Sequence, residues 1–154
     1  MGRYSGVVLG ITPDTGNDNW SLNAAANESG CVLEVHWGGQ ATTSTAMQTS
    51  IARSASGSTL TAGDVQKLHP NTPTNLMDFV KNTGGADGGW TTQPTLTAGA
   101  LFAESWNAHG GVVRWLAAPG EEFVIIGAAT PAQMSCRNAV GTATSSYGVI
   151  WQED

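Results

Sequence analysis

The chain has 154 residues and a formal net charge of -6, and only 12% of its residues are charged, against about 25% in an ordinary soluble domain. The acidic balance and scattered arginines exclude a phosphate-binding surface for nucleic acid, and the most apolar run, 123–129, is too short to span a membrane. The length suits one domain with a sizeable core. Because soluble monomers usually carry a charged surface, we expect much of this exterior to contact other protein molecules.

Short apolar or alternating runs, separated by loops of Gly, Asn, Thr and Pro, predict a chain built from strands. The predicted strands are 4–11, 20–26, 31–37, 45–52, 95–106, 112–116, 122–128, 134–140 and 146–152. Alternation in the third strand predicts these core-facing residues: Cys31, Leu33, Val35 and Trp37. In the fourth strand the residues predicted to share one side are Met47, Thr49 and Ile51. The strand at 122–128 is predicted to be the most buried of all.

Two stretches between these strands have helical character. The sequence at 61–64 is typical of a helix start before 65–68, with prolines following at 70 and 73, and a second helical turn is predicted within 75–81. The glycine-rich segment inside 82–94 is predicted to be a flexible loop, and residues 1–12 an N-terminal arm. Together the elements predict an all-β single domain over 1–154, a jelly roll or β-sandwich with one or two short helical turns.

Neither the cysteines nor the histidines show the spacing of a metal site or a disulfide framework. We expect Cys31 and Cys136 to be buried thiols, with a single bridge between neighbouring strands as the alternative. Glu34 and His36 share one strand face and would offer two metal ligands, although a solvated strand face explains the same pair. The sequence therefore predicts no metal ion and no cofactor.

No motif typical of an enzyme is present. The chain lacks a Gly-x-Ser-x-Gly elbow, a Walker loop and a Cys–His pairing. Glu121 and Glu122 would project to opposite sides of a strand, so they do not form the paired carboxylates of a glycoside hydrolase. Glu104, close to Trp106, is either a sugar-facing acid beside an aromatic ring or a solvent-facing residue beside a packed ring. We therefore predict that the protein is not an enzyme.

The six tryptophans are predicted to serve first in packing, then in subunit contacts, and last in sugar stacking. Trp37 and Trp115 lie in strand patterns and are predicted core residues. Trp90 follows two glycines and is predicted to lie on a loop, where it either contacts a partner or packs locally. An unpaired terminal strand can also complete a neighbour's sheet, so we expect the first strand to reach a partner. The predicted interface residues are Tyr4, Val7, Leu9, Trp90 and Pro94.

Several segments resemble small virion proteins of tailed bacteriophages and prophages, which are described as structural or head-decoration-like proteins. The resemblance covers residues 30–152, and its most specific parts are Gly-Gly-Val-Val-Arg-Trp at 110–115 and Ala-Pro-Gly-Glu-Glu at 118–122. It brings no catalytic residues with it. The resemblance implies a β-rich oligomer, commonly a trimer, that binds the outside of a capsid and contacts the phage major capsid protein.

The predicted function is therefore that of a non-enzymatic virion structural protein, a self-associating capsid decoration or cement protein. The alternative is a carbohydrate-binding jelly-roll module of a phage fibre or receptor-recognition protein. Low charge, loops rich in Thr and Asn, and the tryptophans at 90 and 106 suit that alternative as well. Under either interpretation we expect no nucleic-acid partner and no membrane partner.

Overall fold

Two antiparallel β-sheets pack face to face as a sandwich, which confirms the predicted fold class. The computed structural model describes residues 2–55, 58–59, 63–84, 90–127 and 132–154. Within these residues there is no helix, and so none that could cross a membrane. The described strands are β1 (Gly2–Ile11), β2 (Asp18–Asn23), β3 (Ser29–Gly39), β4 (Ala46–Ala55), β5 (Ser58–Thr59), β6 (Val65–Lys67), β7 (Asp78–Lys81), β8 (Trp90–Thr92), β9 (Thr95–Asn107), β10 (Val112–Leu116), β11 (Phe123–Ile126), β12 (Gln133–Val140) and β13 (Ser145–Glu153).

Strands that pair come from distant parts of the chain. The first sheet has the order β10–β3–β13–β1–β6, with β11 also paired to β3, and the second sheet has the order β7–β2–β12–β4–β9. β5 and β8 form a separate two-stranded sheet. β1 pairs with β13 on one side and, at residues 4–6, with β6 on the other. The described part of the predicted arm at 1–12 is therefore built into the first sheet.

The two stretches predicted to be helical contain strands instead. Residues 65–67 form β6, which pairs with β1, and residues 78–81 form β7, which pairs with β2. Both stretches are too short for a helical period to be decisive, and pairing with a neighbouring strand satisfies their backbone groups and buries Phe79 and Val80. The predicted helix start at 61–62 lies outside the described residues.

The alternation predicted for the third strand holds for only part of it. Val35 is buried as predicted, but Val32 is fully buried too, whereas Cys31 and Leu33 are half-buried. The register between β3 and β13 skips Leu33, which is therefore the extra residue of a β-bulge. One extra residue in a strand moves the side chains before it to the opposite face of the sheet. The prediction that Cys31 and Leu33 face the core was therefore wrong.

A series of aromatic rings fills one end of the core. Tyr4 stacks on Trp151 with ring centroids 5.7 Å apart, and Trp151 stacks on Phe79 at 5.9 Å. Trp20 lies 6.4 Å from Phe79 in a tilted arrangement. All four side chains are at most 2% exposed, so the predicted packing role of the tryptophans holds for Trp20 and Trp151.

A buried polar hub joins the two sheets. Asn138 Oδ1 accepts hydrogen bonds from Asn19 Nδ2 at 3.0 Å, Thr49 Oγ1 at 2.8 Å and the Tyr147 hydroxyl at 3.2 Å. Trp106 Nε1 donates in turn to Thr49 Oγ1 at 3.0 Å. Because Tyr147 belongs to the first sheet and the other residues to the second, the hub fixes one sheet against the other.

The second sheet is buried on both of its faces where β2 pairs with β12. Ser21 and Ser135 are fully buried, although they alternate with core residues and so point away from the core. The segment after β8 is bonded to this outer face, since Arg137 Nη2 donates to the Pro94 carbonyl at 2.6 Å. The chain thus covers the outer face of β2 and β12 with its own residues, whereas Leu101 of β9 and Val140 at the end of β12 are exposed.

Candidate interaction surface

The outer face of the first sheet remains open to solvent. Antiparallel partners lie side by side and project to the same face. The register places one row of such partners across four strands: Val7, Gly148, His36 and Arg114. The next row consists of Ser5, Ile150, Glu34 and Leu116. These rows define the outer face, opposite to the buried side chains of the same strands.

Six large apolar side chains of this outer face are exposed. Their exposed fractions are 39% for Val7, 74% for Leu9, 76% for Val112, 63% for Leu116, 44% for Val124 and 48% for Ile126. We call these six residues the apolar rims, because two lie on β1 and four lie on β10 and β11, on either side of the central strands. Clustered exposed apolar residues mark interaction surfaces more often than isolated ones do.

An ion pair occupies the centre of the outer face. Arg114 Nε and Nη2 donate to the two carboxylate oxygens of Glu34 at 2.7 and 2.8 Å, and these hydrogen bonds lower the pKa of Glu34. His36 Nδ1 lies 3.6 Å from Glu34 Oε1. A Cβ at Gly148 would overlap Nε2 of the His36 ring, so glycine makes room for the imidazole. Among the described residues, no group of three or more His, Cys, Asp or Glu could hold a metal ion.

A tight turn joins the two strands that carry four of the rim residues. The Glu121 N–H donates to the Ala118 carbonyl at 2.9 Å, and Gly120 has a φ of +87°, as the Pro–Gly sequence predicts. Trp115 and Phe123 stack with centroids 4.1 Å apart and an interplanar angle of 3°. β10 and β11 therefore form a divided edge strand, each part paired to β3.

The five predicted interface residues fall into two groups. Val7 and Leu9 are exposed on the outer face and belong to the apolar rims. Tyr4 and Trp90 are each only 1% exposed, and Pro94 is buried as well. Trp90 begins β8 and does not lie on a loop, while the neighbouring residues 85–89 lie outside the described part of the chain. The structure thus brings two of the five to the open surface.

The remaining candidate residues occupy separate environments. Trp106 is 9% exposed and packs in the core, whereas Glu104 is exposed, so the acid and the ring do not form a shared sugar-facing surface. Cys31 in the first sheet and Cys136 in the second are both free thiols, and the alternative of a bridge between neighbouring strands is not realised. Burial raises the pKa of the Cys136 thiol.

The sequence analysis missed the four rim residues on β10 and β11. It predicted 122–128 as the most buried strand, but among the described residues of that range, 122–127, only Ile125 is buried, and Val124 and Ile126 face solvent. An edge strand over a one-sided core needs one apolar face, whatever residues fill the other. For β10 the sequence did contain a signal. The alternation of the strand places Val112 and Leu116 on the same face as Arg114, and a charged residue indicates the solvent-facing side.

Comparisons with known proteins identify no relative of this chain. No family model matches it, no curated protein matches it, and no solved structure matches it. Its function must therefore be argued from the geometry of its surfaces.

Proposed function

We propose that this protein is a non-enzymatic structural protein that self-associates through the outer face of its first sheet. We further propose that it serves as a capsid decoration, or cement, protein in the virion of a tailed bacteriophage. The observation that carries the first part is the difference between the two sheets. Among the described residues the second sheet is covered by its own chain over β2 and β12 and exposes two large apolar side chains, Leu101 and Val140, whereas the first exposes the six residues of the apolar rims. An exposed apolar face of this kind is stabilised when another protein covers it.

The size of the apolar rims indicates a contact of moderate strength. Complete burial of a Val, Leu or Ile side chain stabilises by about 1.5–3 kcal/mol, so covering the exposed parts of the six rim residues contributes on the order of 5–10 kcal/mol per copy. Association of two proteins costs about 4–15 kcal/mol. A contact that covers the rims of two copies gains this contribution twice, about 10–20 kcal/mol, which exceeds most of that cost and supports self-association, and contacts repeated over a regular lattice bind more strongly still through multivalency.

Charge does not oppose this contact. The central carboxylate of the outer face, on Glu34, is already paired with Arg114, so a second copy meets little unbalanced charge there. The low charged fraction of the whole chain, 12%, supports the same conclusion. Stable oligomers of this class bury about 2,000 Å² or more, which would require polar surface around the rims to join the contact.

The virion assignment is supported by the resemblance of residues 110–122 to phage head-decoration-like proteins. These residues form β10, the following turn and the approach to β11, which is the edge that carries four rim residues. The proposed partners are further copies of this chain, forming a trimer, and the phage major capsid protein. The carbohydrate-binding alternative gains no stacking platform from Trp90 and Trp106, because both rings are buried.

Self-association is tested by size-exclusion chromatography with light scattering at micromolar concentration. We expect the wild-type chain to elute as an oligomer and Leu116→Asp, which places a charge in the rim, to elute as a monomer. Val140→Asp is the matched control, because Val140 is 47% exposed but belongs to the second sheet. A monomeric wild-type protein, or equal effects of the two substitutions, would contradict the proposal.

The virion assignment needs its own measurement. Purified phage particles are analysed by mass spectrometry, and undecorated capsids are incubated with the protein and sedimented. We expect the wild-type chain to sediment with capsids and Leu116→Asp to remain in the supernatant. Absence of the chain from purified particles would refute the virion assignment while leaving self-association untouched.

A further inference from the structure

A cleft opens where β6 leads into the loop before β7, at the end of the outer face that Arg3 and Gln152 occupy. It has a volume of about 590 Å³ and is lined by Arg3 and Gln152 of the sheet and by loop residues that include Leu68, His69 and Pro73. Small-molecule sites typically measure about 300–1,000 Å³. The cleft shares no residue with the apolar rims, but Arg3 and Gln152 project from the same outer face, in a row of partners that continues through Cys31 to the rim residue Val124.

Arg3 provides an unpaired cation at this cleft. Its Nε donates to Gln152 Oε1 at 3.1 Å, which orients the guanidinium plane. The other arginines have stronger partners: Arg114 and Arg137 bond carboxylates, and Arg53 bonds a backbone carbonyl. Within the described residues, Arg3 has no carboxylate partner. Its guanidinium is therefore free to bind an anion through two parallel hydrogen bonds.

One further basic residue lines the cleft with Arg3, in a chain that is acidic overall. This residue is His69, whereas Lys67 is exposed on β6 but pairs with Tyr4 and so projects from the opposite face of the sheet to Arg3. His69 Nδ1 accepts a hydrogen bond from the Asn71 N–H at 3.3 Å, which assigns the proton of the neutral ring to Nε2. The His69 ring therefore adds a hydrogen-bond donor to those of Arg3, and donors together with positive charge select a ligand that bears an oxyanion.

The loop wall of the cleft is held in place before any ligand arrives. The Tyr4 hydroxyl donates to the Pro73 carbonyl at 3.1 Å. The Glu153 carboxylate accepts the N–H groups of Leu76 and Met77 at 2.7 and 3.0 Å, and this acid is thereby engaged within the protein. A loop fixed in this way loses little conformational entropy on binding, which favours affinity.

We propose that this cleft binds a saccharide that carries a carboxylate. Arg3 and His69 supply the donors for the carboxylate. Asn71 and the neighbouring Thr72 have side chains that both donate and accept, as sugar hydroxyls require. Leu68, which is 49% exposed, offers an apolar surface for the C–H groups of a sugar ring. The lining thus combines an anion site, groups that suit hydroxyls and an apolar contact within one cleft.

The test is an NMR titration of the ¹⁵N-labelled full-length chain with D-glucuronate, with D-glucose as the neutral control and acetate as the bare carboxylate. We expect saturable shifts at residues 3 and 67–73 with glucuronate, and binding by glucose and acetate at least about tenfold weaker. Arg3→Gln should weaken glucuronate binding about tenfold or more, since a charge-assisted hydrogen bond is lost. Lys67→Gln, which lies beside the cleft but does not line it, should have a smaller effect.

Four results would overturn the proposal. The first is the absence of a saturable shift with glucuronate. The second is glucose binding as tight as that of glucuronate, the third is binding of acetate and inorganic sulfate as tight as that of glucuronate, and the fourth is unchanged glucuronate binding by Arg3→Gln. Arg3 is exposed, so the variant should remain folded, and Asn71→Ala gives a second test of the cleft. Leu116→Asp should bind glucuronate like the wild type, which separates this site from self-association.

Discussion

Replacing Asn138 by leucine should be among the most destabilising substitutions in this protein. The substitution roughly keeps the side-chain volume but removes the oxygen that accepts hydrogen bonds from Asn19, Thr49 and Tyr147. Each buried donor left unpaired costs about 1–3 kcal/mol. Allowing for partial relaxation, we expect Asn138→Leu to lower the free energy of unfolding by about 3–6 kcal/mol, a large part of the about 5–15 kcal/mol typical of a domain.

A second substitution tests whether the loss arises from the hub itself. Tyr147→Phe removes one donor and leaves Asn138 Oδ1 with two others, so alone it should cost about 1 kcal/mol. In the Asn138→Leu background the same change removes an unpaired hydroxyl, so the double variant should be more stable than the sum of the single effects predicts.

Urea unfolding followed by tryptophan fluorescence measures all four members of this cycle. The tryptophans report on both sheets, because Trp106 belongs to the second sheet and Trp151 to the first. Strict additivity of the two single effects, or a loss of less than about 1 kcal/mol for Asn138→Leu, would refute the reasoning. Neither result is compatible with a hub in which Asn138 Oδ1 is the acceptor for donors buried away from water.

Three other predictions concern backbone packing and pH. Gly39→Ala should lower the free energy of unfolding by about 1–3 kcal/mol or more, because its Cβ would overlap the Ala108 carbonyl. Gly38→Ala should be close to neutral, because its Cβ would lie 3.6 Å from the nearest atom. Thermal unfolding of the two variants measures the difference. Desolvation raises the pKa of Asp18 from 3.8 to about 6, so the folded protein binds this proton more tightly than the unfolded chain does. The stability that this proton contributes should therefore be lost as the pH rises from about 4 to about 6. Asp18→Asn should remove this pH dependence of the free energy of unfolding, measured by urea titration. Glu34 has a lowered pKa, so its contribution to stability is present at neutral pH and is lost as the pH falls below about 4.5. The Glu34→Gln variant should therefore lose less stability than the wild type over that acidic range.

Features that depend on neighbouring residues could be predicted from the sequence. Pro119 and Gly120 specify the turn between β10 and β11, since proline presets one dihedral angle and glycine accepts the positive φ of +87°. Alternation in β4 correctly places Met47, Thr49 and Ile51 on the buried side. In both cases the signal and the structure span only a few residues, so no distant partner is needed.

Features that depend on distant partners could not be predicted. The bulge at Leu33 becomes visible only when β13, more than 100 residues further along the chain, sets the register of β3. Trp90 follows a glycine-rich stretch that is typical of a loop, yet its ring is buried. The cleft at Arg3 likewise joins the start of the chain to residues 68–73 and to Gln152.

The sequence by itself determined that this chain forms a β-sandwich, because apolar alternation with a period of two and frequent turn residues admit little else. Tertiary structure alone decided which surface stays open. Whether the outer side of a strand is buried depends on which other segment covers it, and here the chain covers β2 and β12 of the second sheet while leaving the rims of the first in water.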